Sequence, residues 1–152
     1  IFIDVQNIYY TTRDTFRRSF DYKHFWKHIE SQDEIVKAIA YATDKGDERQ
    51  QKFQYALRSI GFNVKLKPYI SRADGSSKGD WDVGITIDIL ETAKQVEKII
   101  LLSGDGDFDL LVEKVIDKYG CRVEIYGVKE LTANSLIDAA SEFYSISTKF
   151  LV

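Results

Sequence analysis

Cysteine is almost absent from this sequence, because Cys121 is the only one among 152 residues. A single cysteine excludes an internal disulfide and a cysteine-based zinc site, and it is typical of a reducing, cytoplasmic location. No apolar run approaches the roughly 18 residues that a membrane span needs, so we expect no membrane association. The net charge of −3 argues against general coating of nucleic acid. What remains is a globular protein, which we predict to form a single domain over residues 1–152.

The charge is distributed unevenly along the chain. Residues 1–80 contain 14 Lys and Arg against 11 Asp and Glu, whereas residues 81–152 contain 7 against 13. An acidic excess in one half of an ordinary chain indicates either a metal site or a solvated acidic surface. Composition alone leaves both interpretations open.

Hydrophobic periodicity predicts alternating strands and helices. Four consecutive aliphatic residues, 99–102, indicate a strand buried on both faces, and helical spacing follows from Phe108 to Tyr119. Residues 80–96 fit both periods, and their length favours a helix because strands seldom exceed ten residues. Further strands are predicted over 1–5, 34–42, 63–70, 122–127 and 143–147, further helices over 22–29, 48–60 and 132–140, and a loop or irregular helix over 9–19.

This alternation predicts an α/β fold, specifically a three-layer α/β/α sandwich with a mainly parallel sheet of five or six strands. Pro68 lacks the N–H that a central strand needs, so it places the strand over 63–70 at a sheet edge. The polar stretch 71–79 is predicted to be a mobile loop that contacts substrate.

Acidic side chains follow two of the predicted strands. Asp4 ends the first strand, and Asp105 and Asp107 lie on the glycine-containing turn after the strand over 99–102. Because the carboxyl ends of parallel strands meet at one sheet edge, we expect these acids to converge there, with Asp82 reaching the same place from its helix. Carboxylate oxygens are ligands that Mg²⁺ and Mn²⁺ prefer. The alternative interpretation is that Asp107 only caps a helix and Asp105 is a turn residue.

Three motifs occur in order along the chain, and each lies where a strand or helix is predicted to begin or end. They are Asp4-x-x-Asn7, Lys78-Gly79-x-x-Asp82-Val83 and Ser103-Gly104-Asp105-Gly106-Asp107-Phe108. Over essentially the whole chain, the sequence resembles the NYN domain, a branch of the PIN-like metal-dependent ribonucleases, and in particular its bacterial LabA-like members.

The resemblance implies a PIN-like fold and specific roles for the motif residues. It implies that Mg²⁺ or Mn²⁺ is bound by four aspartates that are also catalytic: Asp4, Asp82, Asp105 and Asp107. It further implies that Asn7 orients Asp4 or contacts a phosphate. We expect the substrate to be contacted by Asn7, Lys78, Arg17 and Ser103.

The middle motif departs from the family pattern by one residue. The familiar spacing is Lys-Gly-x-Asp, so the extra residue here makes Asp80 a competitor of Asp82, although Val83 after Asp82 favours the latter. Asp88 lies six residues after Asp82, about 240° around a helix. We therefore do not expect Asp82 and Asp88 to face one ion together.

Other candidate residues carry weaker signals. His24 and His28 have the spacing of a zinc pair but lack a third ligand, so we expect an exposed helical pair. Several aromatic and basic side chains are suited either to stacking on bases and pairing with phosphates or to packing beneath a loop: Tyr9, Tyr10, Arg13, Arg17, Arg18 and Trp81.

The sequence thus predicts a Mg²⁺- or Mn²⁺-dependent endoribonuclease that cuts single-stranded RNA with an activated water and no covalent enzyme intermediate. A non-catalytic RNA- or partner-binding regulatory module of the same fold is the alternative, and a homodimer is left open. A receiver-type domain is disfavoured because Lys129 lies beyond the strand ending at Gly127. A phosphohydrolase is disfavoured because Gln6 stands where a second aspartate is needed.

Overall fold

The computed structural model describes residues 1–68 and 80–152, together with the backbone of residues 70–71 and 77–78. The strands are β1 (Phe2–Asp4), β2 (Ile39–Asp44), β3 (Asn63–Pro68), β4 (Ile70–Ser71), β5 (Ser77–Lys78), β6 (Lys98–Leu102), β7 (Arg122–Gly127) and β8 (Glu142–Ser145). The α-helices are α1 (Val5–Phe16), α2 (Tyr22–Glu30), α3 (Glu48–Ile60), α4 (Asp82–Ala93), α5 (Asp109–Tyr119) and α6 (Asn134–Ala139). Short 3₁₀ turns cover Gly106–Phe108, Lys129–Leu131 and Thr148–Phe150.

A six-stranded sheet with the order β3-β2-β1-β6-β7-β8 forms the centre of the fold, and all its pairings are parallel. Helices α1 to α3 bury one face of the sheet through residues such as Phe25 and Leu57. Helices α4 to α6 bury the other face through residues such as Ile85, Val112 and Leu136. The predicted α/β/α sandwich with a mainly parallel sheet is confirmed. The strands β4 and β5 form a separate antiparallel pair.

Several predicted elements have the expected type and position. Residues 82–93 form the helix α4, which decides against a strand, and β7 has the predicted bounds, 122–127. Pro68 ends the edge strand β3, as its missing N–H requires. Helix α2 begins at residue 22 as predicted, and Asp21 caps it, since its carboxylate accepts the backbone N–H of His24 at 3.0 Å.

Of the two alternatives predicted for residues 9–19, the loop was wrong, and the helix is regular and begins earlier than expected. Val5–Phe16 is a continuous α-helix that Asp4 caps. Its buried stripe includes Thr12, a polar residue whose hydroxyl donates to the carbonyl of Ile8 at 2.7 Å. Thr12 interrupts the apolar period of the helix, and the aromatic and basic side chains on which the prediction relied obscured the helical pattern.

The strand predicted over 34–42 is shifted toward the C-terminus. In β2, pairing begins at Ile39 because its partners in β1 and β3 begin at Phe2 and Asn63. The strand then continues to Asp44 because β3 extends that far alongside it. The neighbouring strands, and not local hydrophobicity, set the ends of β2.

The predicted substrate loop over 71–79 lies outside the described residues, apart from the backbone of 71 and 77–78. Within the described part of the chain, no helix has the length and apolar character needed to cross a membrane.

Candidate metal centre

The candidate site lies where the order of the strands reverses. β1 lies between β2, which follows it in the chain, and β6, which comes much later. The register pairs Ile3 with Leu102, so Asp4 and Ser103 come next on adjacent strands. Ligands of open α/β sheets bind beyond the carboxyl ends of the strands at such a reversal.

A network of hydrogen bonds joins the ends of β1 and β6. The Ser103 hydroxyl donates to Asp4 Oδ2 at 3.2 Å and accepts the backbone N–H of Asp105 at 3.2 Å. Asn7 donates its backbone N–H to Asp4 Oδ1 at 3.4 Å, while its side-chain oxygen accepts the N–H of Gly104 at 2.9 Å. Asn7 therefore contacts Asp4 through its backbone and holds the 103–105 turn through its side chain.

The turn after β6 is shaped by a close backbone approach. A Cβ atom on Gly104 would lie 2.9 Å from the carbonyl oxygen of Leu131, so this position requires glycine. Asp105 caps the following 3₁₀ turn by accepting the N–H of Asp107 at 2.9 Å. The capping residue is thus Asp105, and the exposed Asp107 carboxylate accepts no hydrogen bond from the described residues.

Three carboxylates converge next to this network. One oxygen each from Asp82, Asp105 and Asp107 lies within 4.8 Å of the other two. Asp82 is the first residue of α4 and donates its N–H to the carboxylate of Asp80 at 3.3 Å. Of the two competing aspartates, Asp82 belongs to this acidic triad. Asp4 lies outside the triad, but it is linked to Asp105 through the Ser103 hydroxyl.

The acids around the triad disfavour each other's ionisation. Burial raises the pKa of Asp4 to about 6, and the charges of Asp105 and Asp80 add to this. Burial likewise raises the pKa of Asp82 to about 7, reinforced by Asp105, Asp80 and Asp4. The hydrogen bonds through the Ser103 hydroxyl hold Asp4 at the same edge of the sheet as Asp105, as the metal hypothesis requires.

The donor set fits a divalent cation with a preference for oxygen. The salt bridges among the described residues involve other acids: Asp33, Asp88, Glu124 and Glu142. The triad thus presents carboxylate oxygens without a paired basic side chain from residues 1–68 or 80–152. Mg²⁺ or Mn²⁺ would supply the missing positive charge.

A lysine that the sequence analysis did not single out, Lys67, lies beside the site. Lys67 Nζ donates to the carbonyl of Asp80 at 3.1 Å and lies 4.6 Å from the centroid of the Trp81 ring. The Trp81 indole N–H donates to the carbonyl of Ala42 at 2.9 Å. The signal for Lys67 was its place near the carboxyl end of a parallel strand, the same rule that located the acids.

Asp88 and Arg17 lie apart from the triad. The carboxylate of Asp88 accepts hydrogen bonds from Lys65 and Tyr41, both 2.7 Å long. Burial raises the pKa of Asp88, but these hydrogen bonds outweigh burial and hold the pKa below its usual value. Arg17 ends α1, a 12-residue helix, so it lies about 18 Å from the end that carries Asp4.

The remaining candidates are Lys78, His24, His28 and Arg18. Lys78 lies in β5, and its side chain is outside the described residues. His24 and His28 pack near the Phe150 ring, and His28 also contacts Lys149 Nζ at 3.2 Å. Arg18 binds the carbonyls of Leu151 and Val152.

Comparisons with known proteins show the family to which this chain belongs. Low amplitude and bright protein LabA of Synechococcus elongatus is 28% identical over 155 residues, covering 97% of this chain and 82% of the relative. The crystal structure of VPA0982, a Vibrio parahaemolyticus protein of unknown function, is 51% identical with a TM-score of 0.94, covering 99% of this chain and 93% of that one. The NYN domain model matches residues 1–147, and the chain therefore belongs to the NYN domain family, which implies a PIN-like nuclease family.

Proposed function

We propose that this protein is a Mg²⁺- or Mn²⁺-dependent ribonuclease that hydrolyses phosphodiester bonds of single-stranded RNA. The observation that carries the proposal is the convergence of Asp82, Asp105 and Asp107 oxygens within 4.8 Å. Membership of the NYN family supports nuclease chemistry at this site. The position at the reversal of strand order supports a ligand site independently of the family.

Each residue of the site has a proposed role. Asp82, Asp105 and Asp107 hold the cation, and Asp4 contributes a fourth carboxylate next to them. When bound, the cation would offset the negative charge of the phosphodiester and activate a water for in-line displacement. Ser103 and Asn7 position the acids by tying the end of β1 to the turn after β6.

Phosphate contacts must come from basic residues, because the acids themselves repel the RNA backbone. Lys67 lies beside Asp80 and Trp81, and Lys78 belongs to the family motif. Both are proposed to bind phosphates at the edge of the site. We propose no base-specific contact at the acids, so RNA should be held through its backbone and through stacking, which requires unpaired strands.

A non-catalytic RNA- or partner-binding module of the same fold is the second candidate. It is favoured by the position of Asp4 outside the triad, which leaves three closely placed carboxylates for an ion. Such a site would bind a cation weakly and need not support hydrolysis.

An RNA cleavage assay separates the two candidates. Labelled single-stranded RNA, duplex RNA and DNA are incubated with the purified protein in Mg²⁺, in Mn²⁺ or in EDTA. We expect cleavage of single-stranded RNA with either metal and none in EDTA. Asp105→Asn should lower the rate by at least the roughly 10- to 100-fold typical of weakened metal sites. Asp117→Asn, an exposed aspartate on α5, is the matched control and should cleave normally.

Two outcomes would contradict the nuclease. Equal cleavage by wild type and Asp105→Asn would identify a contaminating enzyme. RNA binding without cleavage in either metal, at a large excess of protein, would establish the binding module instead.

A further inference from the structure

We propose that a groove between α1 and the α2–α3 side of the molecule binds the single-stranded RNA that flanks the scissile phosphate; this inference rests on the proposed nuclease function. The groove has a volume of about 710 Å³. Its floor is apolar and includes Val5, Phe53 and Leu57, while Tyr9, Tyr10 and Arg13 line it from α1.

The groove is continuous with the acidic site. It begins at Val5 and Gln6, the residues directly after Asp4. Ala42 also lines the groove, and its carbonyl accepts the indole N–H of Trp81, the residue before Asp82. The groove therefore adjoins the acidic site next to Asp4 and Trp81, where an RNA chain bound at the acids would reach it.

Two adjacent tyrosines provide surfaces for unpaired bases. Tyr9 and Tyr10 are 45% and 47% exposed, and their rings meet edge to face with centroids 5.3 Å apart. Arg13, one helical turn later, donates to the Tyr9 hydroxyl and lies 5.7 Å from its ring centroid. Exposed aromatic rings with a neighbouring guanidinium are typical of sites that stack single-stranded nucleic acid.

The charges of the groove also favour an RNA backbone. Arg13 and Arg49 both line it, and neither forms a salt bridge within residues 1–68 and 80–152. The acids of the groove, Asp21 and Asp47, use their carboxylates to cap α2 and α3, at 3.0 Å and 2.8 Å from the N–H groups they accept. An apolar peptide would cover the floor but offer the arginines no negative charge, whereas a nucleic acid provides both bases for the floor and phosphates for the arginines.

The test measures RNA affinity without cleavage. Fluorescence anisotropy follows a short unstructured oligoribonucleotide binding to the Asp105→Asn protein in EDTA. Tyr9→Ala and Tyr10→Ala are each expected to weaken binding about five- to tenfold through lost stacking. Tyr9→Phe keeps the ring and should bind normally. Tyr55→Ala, which removes a 73% exposed tyrosine of α3 outside the groove, is the matched control and should also bind normally.

The arginines are tested through salt dependence. Each single-strand phosphate contact contributes about 0.7 to the slope of log K against log salt. The double variant with Arg13→Ala and Arg49→Ala should therefore lose about 1.4 from that slope. Arg58→Ala, on an exposed part of α3 outside the groove, should leave the slope unchanged.

A second measurement requires no substitution in the groove. RNA containing 4-thiouridine is cross-linked to the protein with its groove residues unchanged, and the cross-linked peptides are mapped. Cross-links to the α1 peptide carrying Tyr9 and Tyr10 would support the groove. Cross-links confined to other surfaces would overturn it.

The outcomes for groove and nuclease are distinguishable. If the wild type cleaves RNA but the groove variants bind like their controls, the groove proposal is overturned and the nuclease stands. If the wild type never cleaves but the groove variants lose binding, the nuclease fails and the groove stands. Equal affinity for duplex and single-stranded RNA would also overturn the groove, because stacking requires unpaired bases.

Discussion

At the scale of single residues, Asp105 combines a structural and a chemical role. Its carboxylate caps the 3₁₀ turn at 2.9 Å from the N–H of Asp107, and it also belongs to the acidic triad. In Asp105→Asn, the amide oxygen can still accept that hydrogen bond while one negative charge is removed. The substitution therefore separates the fold of the turn from its charge.

This separation predicts the response to metal. A ligand that binds only the folded protein stabilises it by about 2.7 kcal/mol at 100 times its Kd. Mn²⁺ at millimolar concentration should raise the Tm of the wild type and of Asp117→Asn. Asp105→Asn should have an equal or higher Tm without metal, because repulsion of Asp4 and Asp82 is relieved, and should gain little from Mn²⁺. A full metal-induced rise in Asp105→Asn would count against the triad. Thermal unfolding followed by circular dichroism measures both effects.

The raised pKa values predict a pH dependence of stability. Burial and neighbouring acids raise the pKa of Asp4 to about 6 and of Asp82 to about 7, so the folded state holds protons that the unfolded chain releases near pH 4. Because the folded state binds more protons in this window, the free energy of unfolding should fall as pH rises from about 4 to about 7. Urea unfolding in EDTA at several pH values measures this slope.

A variant isolates the contribution of the site. In Asp82→Asn the free energy of unfolding should fall less steeply as pH rises. Comparing the slopes of the variant and the wild type cancels the contribution of groups that titrate elsewhere, such as His28, whose pKa is lowered by burial. Excess Mg²⁺ should reduce the fall in the wild type, because the ion competes with the protons. Identical slopes for the wild type and Asp82→Asn would contradict the assigned cause.

At the scale of elements, the start of α4 is tied to the sheet by Trp81. Its indole N–H binds the Ala42 carbonyl at 2.9 Å, and its ring packs so closely on Gly84 that a Cβ there would lie 2.6 Å from a ring atom. Asp82 is the next residue, so this contact helps to hold one carboxylate of the triad in place. Positioning of a ligand by a neighbouring packed side chain is a common feature of metal sites.

Trp81→Phe tests this role by removing the hydrogen bond while keeping an aromatic ring. We expect a loss of about 1–2 kcal/mol in the free energy of unfolding and a Mn²⁺ affinity lower by about 10-fold. Trp26→Phe, whose ring packs near Gly61 in the other core cluster, is the control and should change stability without changing Mn²⁺ affinity. Calorimetric titration with Mn²⁺ provides the comparison. Unchanged affinity in a folded Trp81→Phe protein would remove the positioning role.

The same scale shows what sequence patterns can and cannot predict. The strand at 122–127 and the helix α5 were predictable because their apolar periods are uninterrupted. The helix α1 was not, because Thr12 satisfies its hydroxyl within the helix and so occupies a buried position that the pattern reserves for apolar residues. The ends of β2 depend on partner strands that are distant in the sequence.

The candidate site likewise has features that the sequence predicts and features that it does not. The convergence of Asp82, Asp105 and Asp107 was predictable, because strand ends in a parallel sheet share one edge and the motifs supplied the order. The groove was not, since it depends on which elements become neighbours in space. Tyr9 and Arg13 have suitable chemistry in the sequence, but only the packing of α1 shows that they line one continuous surface.

At the scale of the whole molecule, the uneven distribution of charge along the chain corresponds to two different surfaces. The lining of the groove comes from the first 68 residues and from the last, Val152, and its arginines belong to the half with basic excess. The triad comes from residues after 81, the half with acidic excess. The reversal of strand order between β1 and β6 brings the two together. The fold thus places a surface suited to RNA beside a site suited to a cation.

The central claim is that Asp82, Asp105 and Asp107 together bind a divalent cation, and its most direct test is crystallographic. Crystals of the protein soaked in Mn²⁺ are measured near the manganese absorption edge, with Asp105→Asn crystals treated identically. We predict an anomalous difference peak between the three carboxylates in the wild type and its loss in the variant. A wild-type map without a peak at these carboxylates, or an equal peak in Asp105→Asn, would contradict the claim.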